Sequence, residues 1–289
     1  MKHSKTKERK KLRPWQRVVI VIAILMLAAG AGFLLFPFAS NTVGQIRANV
    51  IIDEYKTVRD RVIDPASPDE MPPEIALRLT ATTFEEALQK GEVDSEGYVV
   101  NTQGERIYDK PVVFALDLDK LRCDSIAYNK SIINHQGTED TNDYTKEALE
   151  LYRYGVSNVY GYLEAKTVGL DLPIYLGADD WQMSCGGAHL YGSSLPLDQK
   201  DTNVAIAGHT GYIGRIFFDN IRNLKDGDAV TITNYWETID YEVIGHKTVK
   251  ANDADDILIQ PGRQLLTLYT CIRLKNGENG RYVVICEKK

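Results

Sequence analysis

The sequence predicts a mainly β protein: a barrel or sandwich of short strands with helices ahead of it, behind one membrane-spanning helix. Three observations carry this. Residues 18–39 run for 22 positions without a charge; Leu118, Leu121, Ser125, Tyr128 and Ile132 step by three and four; and after Asn158 short apolar runs of period two, divided by turn signals, continue to the C-terminus. With 289 residues, 44% hydrophobic and 26% charged, the composition is that of a folded chain and not of a disordered or collagenous one.

The elements follow in order. Residues 1–17 hold eight Lys or Arg against one acid, so the chain's net charge of −6 conceals a remainder of 26 basic and 39 acidic residues, a charge of −13. An acidic body argues against a nucleic-acid partner, because phosphate binding needs a basic face. As a helix, residues 18–39 would extend ~33 Å, enough to cross a bilayer. The basic residues all precede this run, so the positive-inside bias keeps the N-terminus in the cytoplasm and sends the remainder outside. A cleaved secretory signal is the rival reading, with Ala29-Gly30-Ala31 offering small residues, and the continuation of the apolar run to Phe38 favours an uncleaved anchor. The basic tail also has the form of a nucleic-acid patch; beside a spanning helix, topology explains it better. No second run approaches spanning length, and no internal repeat or low-complexity tract is present.

Beyond the anchor, Ile46, Val50, Glu54 and Val58 keep helical spacing to about residue 64, where Pro65, Pro68, Pro72 and Pro73 break it. Thr83-Phe84-Glu85-Glu86 has the form of a capping box and Gly91 that of a helix stop. Residues 97–108 read as a small hairpin, and the three-four stepping after Leu118 as an amphipathic helix that needs a surface to pack on. Strands are expected at 160–164, 172–176, 203–207, 229–233, 239–244, 265–271 and 282–286, with turns such as Lys225-Asp226-Gly227 and Asn276-Gly277.

Reactive side chains are few. Of five histidines, His3 lies in the basic tail, His135 ends a polar stretch and His246 alternates within a strand; His189 and His209 stand in Gly-bearing contexts, GGAHLYG and AIAGHTG, of the kind found where a strand end meets a ligand. Four cysteines outside the cell admit two disulfides, yet no close spacing supports a disulfide framework or a metal cluster. Cys271 is distinctive: it closes an apolar strand and Ile272-Arg273-Leu274-Lys275 follows it, a cationic setting that favours thiolate, the nucleophilic form. Such chemistry needs a histidine for proton transfer and a donor for the oxyanion. Arg281 fills the second place if 272–280 loop back beside Cys271, with Arg273 as competitor. A buried structural cysteine is the plain alternative.

These residues resemble a known family. TLYTC (267–271) is similar to the Thr-Leu-x-Thr-Cys signature of sortases, AGHTG (207–211) to their histidine site and GRYVV (280–284) to their arginine strand, in the same order and spacing. YGYLEAKTVGLDLPIYLG (160–177), AHLYGSSLP (188–196) and LKDGDAVTITNYWETIDYEV (224–243) resemble class C, pilin-type sortases more than the housekeeping class. The resemblance covers about residues 114–289.

It implies a sortase-like eight-stranded β-barrel with N-terminal helices, in a membrane-anchored cysteine transpeptidase. Cys271 would attack a Leu-Pro-x-Thr-Gly-like sorting signal to form a thioester, His209 would shuttle the proton and Arg281 would hold substrate and oxyanion, with no cofactor or metal. The implied partners are sorting-signal-bearing surface or pilin proteins and an amine from a pilin lysine or a peptidoglycan precursor. The implied division is a cytoplasmic tail (1–17), an anchor (18–39), a membrane-proximal extension (40–113), a helical or lid-like segment (114–157) and the catalytic barrel (158–289), the barrel lying at the outer face. The sequence departs from the family after the cysteine, where Ile272-Arg273 replaces His-Pro or Thr-Pro, and no second membrane segment is expected at the C-terminus. The lid motif of pilin-type sortases, Asp-Pro-aromatic, corresponds to Asp140-Thr141-Asn142, with Asp64-Pro65 as a second candidate; Asp140 and Asn142 could instead cap a helix near 144–151. A different surface cysteine protease or transpeptidase, or a non-catalytic surface module, are the other classes of reading.

Overall fold

In a computed structural model, the chain is described over residues 13–60, 72–112, 116–136, 143–211 and 217–289. It opens with α1 (Pro14–Asp60), a 47-residue helix with Pro37 inside it. The apolar run is therefore the first part of one helix, whose remainder carries on beyond residue 39. Leu25, Leu27, Phe33 and Leu34 are all more than 60% exposed, as expected of side chains that require lipid. α1 is the one described helix long and apolar enough to cross a membrane.

A short helix α2 (Pro73–Ala76) precedes α3 (Phe84–Gln89), which Thr83 caps by accepting from the Glu86 backbone N–H at 3.3 Å, while Glu86 Oε2 accepts from the Thr82 N–H at 3.0 Å. The expected hairpin is formed by β1 (Tyr98–Val100) and β2 (Arg106–Pro111). α4 (Leu118–Ile132) turns Leu121, Ser125, Asn129 and Ile132 inward, and Asn129 exchanges hydrogen bonds with the Leu195 backbone, tying the 190–200 loop to the helix.

The rest is a closed eight-stranded barrel. Its strands are β3 (Val159–Ala165), β4 (Leu170–Leu176), β5 (Gly187–His189), β6 (Thr202–Ala207), β7 (Ala229–Asn234), β8 (Thr238–Lys250), β9 (Gln264–Arg273) and β10 (Asn279–Lys288), ordered β10-β8-β7-β3-β4-β5-β6-β9 around the wall. A six-residue helix, α5 (Asp180–Cys185), links β4 to β5. Seven of the strands lie where period-two runs were read. The eighth, β5, is three residues long and too short to show a period; it is held by parallel pairing to β4 and antiparallel pairing to β6. Closure decides barrel over sandwich.

Alternation along the strands divides the core. Leu163, Leu172, Ile174, Val204, Ile206, Ile232, Tyr241, Leu266, Leu268 and Val284 fill the interior, joined by Phe217, Phe218 and Ile221 from the loop after β6. The opposite parity faces outward into two further clusters. One covers β3 and β4 with α1 and α4 through Ile52, Tyr55, Leu121, Tyr160 and Tyr175; the other lies over β6, β9 and β10 and contains Ala205, Tyr269, Val283, Leu190 and Ile257.

The helix entertained near 144–151 does not form; this stretch is a series of turns ending in a 3₁₀ turn, Leu151–Tyr154. Its backbone is otherwise engaged. The Tyr144 carbonyl accepts from the Ala178 N–H at 2.9 Å, and the segment runs so close to Gly177 that a Cβ there would stand 2.7 Å from the Thr145 carbonyl oxygen. Both lid candidates, Asp140-Thr141-Asn142 and Asp64-Pro65, lie outside the described residues.

Candidate active site

Strand register assembles the three residues singled out from the sequence. β6 and β9 run parallel, with Ala207 opposite Tyr269; His209 and Cys271 each lie two residues further on. β9 and β10 run antiparallel, with Cys271 directly opposite Arg281. Parity then sets the face. Because Leu266 and Leu268 point into the barrel, Tyr269 and Cys271 point out, as do Ala205 and Ala207 on β6 and Arg281 and Val283 on β10. His209, Cys271 and Arg281 therefore occupy neighbouring positions at one end of the outer wall.

Backbone and hydroxyl groups fix this end. The Gly208 N–H donates to the Tyr269 carbonyl at 3.0 Å, the buried Thr270 hydroxyl donates to the Gly208 carbonyl at 2.7 Å, and the Thr210 hydroxyl donates to the Cys271 carbonyl at 3.1 Å. His209 is thus laced to β9 from both sides. Its own carbonyl accepts from the Phe218 N–H at 2.9 Å, and its ring meets Phe217 edge-on with centroids 6.1 Å apart. Only glycine fits at 208, since a Cβ would lie 2.6 Å from the buried Phe218 ring. The Asp219 carboxylate closes the loop by accepting from the Gly211 and Phe217 N–H groups at 2.7 and 3.2 Å.

Beside these residues lies a cleft of about 310 Å³, with a mainly apolar lining. Cys271, Arg281, Thr270 and Gly208 form one rim; Tyr144, Met183, Leu190, Ile257 and Tyr269, with the segment 251–254, complete it. The volume is at the lower end for small-ligand sites and suits one or two aliphatic side chains. The far rim is anchored by Asn203, whose Nδ2 donates to the Asp256 and Leu258 carbonyls at 2.8 and 3.0 Å, and by an ion pair between Lys247 and the Asp256 carboxylate.

The competing groups are occupied elsewhere. Arg273 donates from Nη1 to the Gly277 carbonyl at 2.9 Å, inside the β9–β10 turn. His189 is fully buried on β5, with Nε2 3.0 Å from the Ser194 carbonyl, and burial lowers its pKa to about 4. His246 contacts the Tyr282 hydroxyl at 3.1 Å and Asp226 at 3.4 Å, and the exposed His135 contacts the Ser131 carbonyl. Cys123, Cys271 and Cys286 are free thiols. Cys271 is exposed at the cleft, whereas Cys286 sits inside the barrel, where burial pushes its thiol up to about 12. Among the described residues, no group of three or more His, Cys, Asp or Glu could hold a metal ion.

Sequence reasoning did not find the apolar rim. Tyr144, Met183, Leu190 and the 251–257 connection come from separate stretches with no shared motif, and only closure of the barrel brings them together.

The chain was compared with known proteins. A family model described as a sortase domain matches residues 163–289. Sortase A of Bacillus anthracis is 27% identical over 126 residues, 44% of this chain and 58% of that protein, so the chain spans little more than half the length of this curated relative. Among solved structures, sortase C-1 of Streptococcus pneumoniae is 28% identical with a TM-score of 0.52, covering 60% of this chain and 90% of that one. The pilus-related sortase C of Group B Streptococcus is 27% identical with a TM-score of 0.51, covering 60% and 91%, and sortase A of Corynebacterium diphtheriae is 26% identical with a TM-score of 0.52, covering 59% and 83%.

Proposed function

Residues 163–289 belong to the sortase family, with class C enzymes among their structural relatives, and on that premise we propose that the chain is a membrane-anchored cysteine transpeptidase acting on Leu-Pro-x-Thr-Gly-like sorting signals. The observation that carries the proposal is the register: an exposed thiol on β9 and an arginine opposite it on β10 stand at the rim of one apolar cleft, and His209 follows directly on the end of β6, the strand beside β9.

In this reading the Cys271 thiolate attacks the Thr carbonyl carbon of the sorting signal. A C–S bond forms, the negative charge passes to the carbonyl oxygen, and Arg281 stabilises it with a planar, permanently charged donor fork. The tetrahedral species collapses by breaking the C–N bond, and His209 gives the proton that lets the amine leave. An incoming amine, from a pilin lysine or a cell-wall cross-bridge, loses its proton to His209 and attacks the thioester, forming an amide and returning the thiolate. The apolar rim formed by Leu190, Ile257 and Tyr269 receives aliphatic side chains of the signal. Both steps exchange an amide bond through a thioester, so neither requires an external oxidant or reductant.

The anchor reading belongs to the same proposal: residues 1–17 cytoplasmic, 18–39 in the bilayer, and the extension, helical segment and barrel outside. Mass spectrometry after incubation with a sorting-signal peptide tests the chemistry. The protein should gain the mass of the N-terminal peptide fragment, released by hydroxylamine and absent in Cys271→Ala. A turnover-competent Cys271→Ala protein would sink the mechanism. An adduct on Cys271 from peptides lacking the sorting motif would favour a different cysteine protease, and no adduct with any peptide a non-catalytic surface module.

A further inference from the structure

Past its apolar run, α1 acquires a buried face. Gly44, Ala48, Ile52 and Tyr55 are buried at helical spacing where α1 runs along the outer wall of β3 and β4. Contacts fix its direction. Gln45 Nε2 reaches the Asp171 carbonyl, near the start of β4, at 3.5 Å, while the Tyr55 hydroxyl donates to the Tyr160 carbonyl, near the start of β3, at 3.0 Å. The ten residues between Gln45 and Tyr55 span ~15 Å, so α1 climbs the wall from the β3–β4 turn toward the opposite end of the barrel. Gln45 is also only six residues, ~9 Å of helix, past residue 39, where the apolar run stops. The β3–β4 turn therefore marks the end of the barrel nearest the bilayer.

Strand directions carry this to the site. β4 starts at that turn and runs away from the bilayer, as does β5, its parallel neighbour. β6 is antiparallel to β5 and returns toward the bilayer, and β9, parallel to β6, does the same. The last residues of β9 with Cys271, the residue His209 beyond β6, and the first residues of β10 with Arg281 are all at the bilayer end. Strand tilt in a barrel, about 40°, inclines these directions without reversing them. In the closed order, β9 and β10 stand opposite β3 and β4, so the site opens on the wall facing away from the helix. Pro37 removes one hydrogen bond from α1 and can tilt the barrel against the bilayer, but a kink does not exchange its two ends.

We propose that the docked half of α1 holds the Cys271 end of the barrel toward the lipid surface, with the opposite end of the barrel turned away from it.

The test uses the full chain in vesicles of phosphatidylcholine and phosphatidylglycerol doped with a headgroup-spin-labelled lipid. Cys123→Ser, Cys185→Ser and Cys271→Ala leave only the buried Cys286, and a single fluorophore is placed at Lys275→Cys, in the turn after β9, or at Lys200→Cys, before β6. Both positions are exposed, and they are separated by roughly the length of β9, ~30 Å. The lipid quencher should extinguish most of the Lys275 fluorescence and spare Lys200; equal quenching, or the reverse order, overturns the orientation. Adding Ile52→Ala and Tyr55→Ala should erase the contrast, and a contrast that survives them overturns the role of α1.

Discussion

Acid should loosen β6, the strand that leads into His209, and His189 is the group that makes it do so. His189 is fully buried on β5, where its backbone pairs with Ile206 on β6, three residues before His209. Its Nε2 faces the Ser194 carbonyl and the Ser193 hydroxyl, and Nδ1 has no hydrogen-bond partner among the described residues. A second proton would have to enter on Nδ1, in a site that offers it no acceptor. Desolvation accordingly holds the pKa down at about 4, against 6.5 when unfolded. Above pH 6.5 the ring is neutral in both states and costs nothing. As the pH falls from 6.5 to about 4 the unfolded chain takes up the proton and the folded protein does not, so stability declines across that window and the loss is complete below it. At about 1.4 kcal/mol per pH unit, the gap corresponds to ~3 kcal/mol. Urea unfolding of the full chain in micelles, repeated from pH 7.5 to 3.5 for wild type and His189→Gln, reads this difference directly, because the carboxylates titrate alike in both. The wild-type curve should fall more steeply than the variant's between pH 6.5 and 4, by ~3 kcal/mol in all. Parallel curves would refute the reasoning and place the acid sensitivity elsewhere.

Two substitutions probe the site itself. Arg281→Lys should retain the fold, since residue 281 is only part-buried at a strand start, yet lose at least ~2 kcal/mol of transition-state stabilisation, read as kcat/KM with a sorting peptide, because an ammonium cannot present two parallel donors; undiminished turnover would remove Arg281 from the proposed chemistry. Gly208→Ala should cost about 1–3 kcal/mol by overpacking, as the new methyl lies 2.6 Å from the buried Phe218 ring, whose backbone N–H is bonded to the His209 carbonyl. Thermal unfolding and acyl-enzyme formation should fall together, and an unchanged melting temperature would show that Phe218 yields freely.

Much of this protein is legible along the chain. The apolar run is a local property, and so is the period-two alternation that locates seven of the eight strands, since both arise from which side chains avoid water. His209, Cys271 and Arg281 could be named because each closes or opens a recognisable strand motif. Other features have no local signal. β5 exists through pairing on both sides and not through its own three residues; the turns at 144–150 replace a helix because the Tyr144 carbonyl is claimed by Ala178 and the backbone lies against Gly177; and the cleft draws on Tyr144, Leu190 and Ile257, which are far apart in sequence. Hydrophobic patterning and the positions of reactive residues were thus determined by the sequence alone. Barrel closure, the register that sets Cys271 opposite Arg281, and the docking of α1 that orients this end were decided only by the tertiary structure, because long-range pairing, unlike patterning, is an energy shared between segments that do not adjoin.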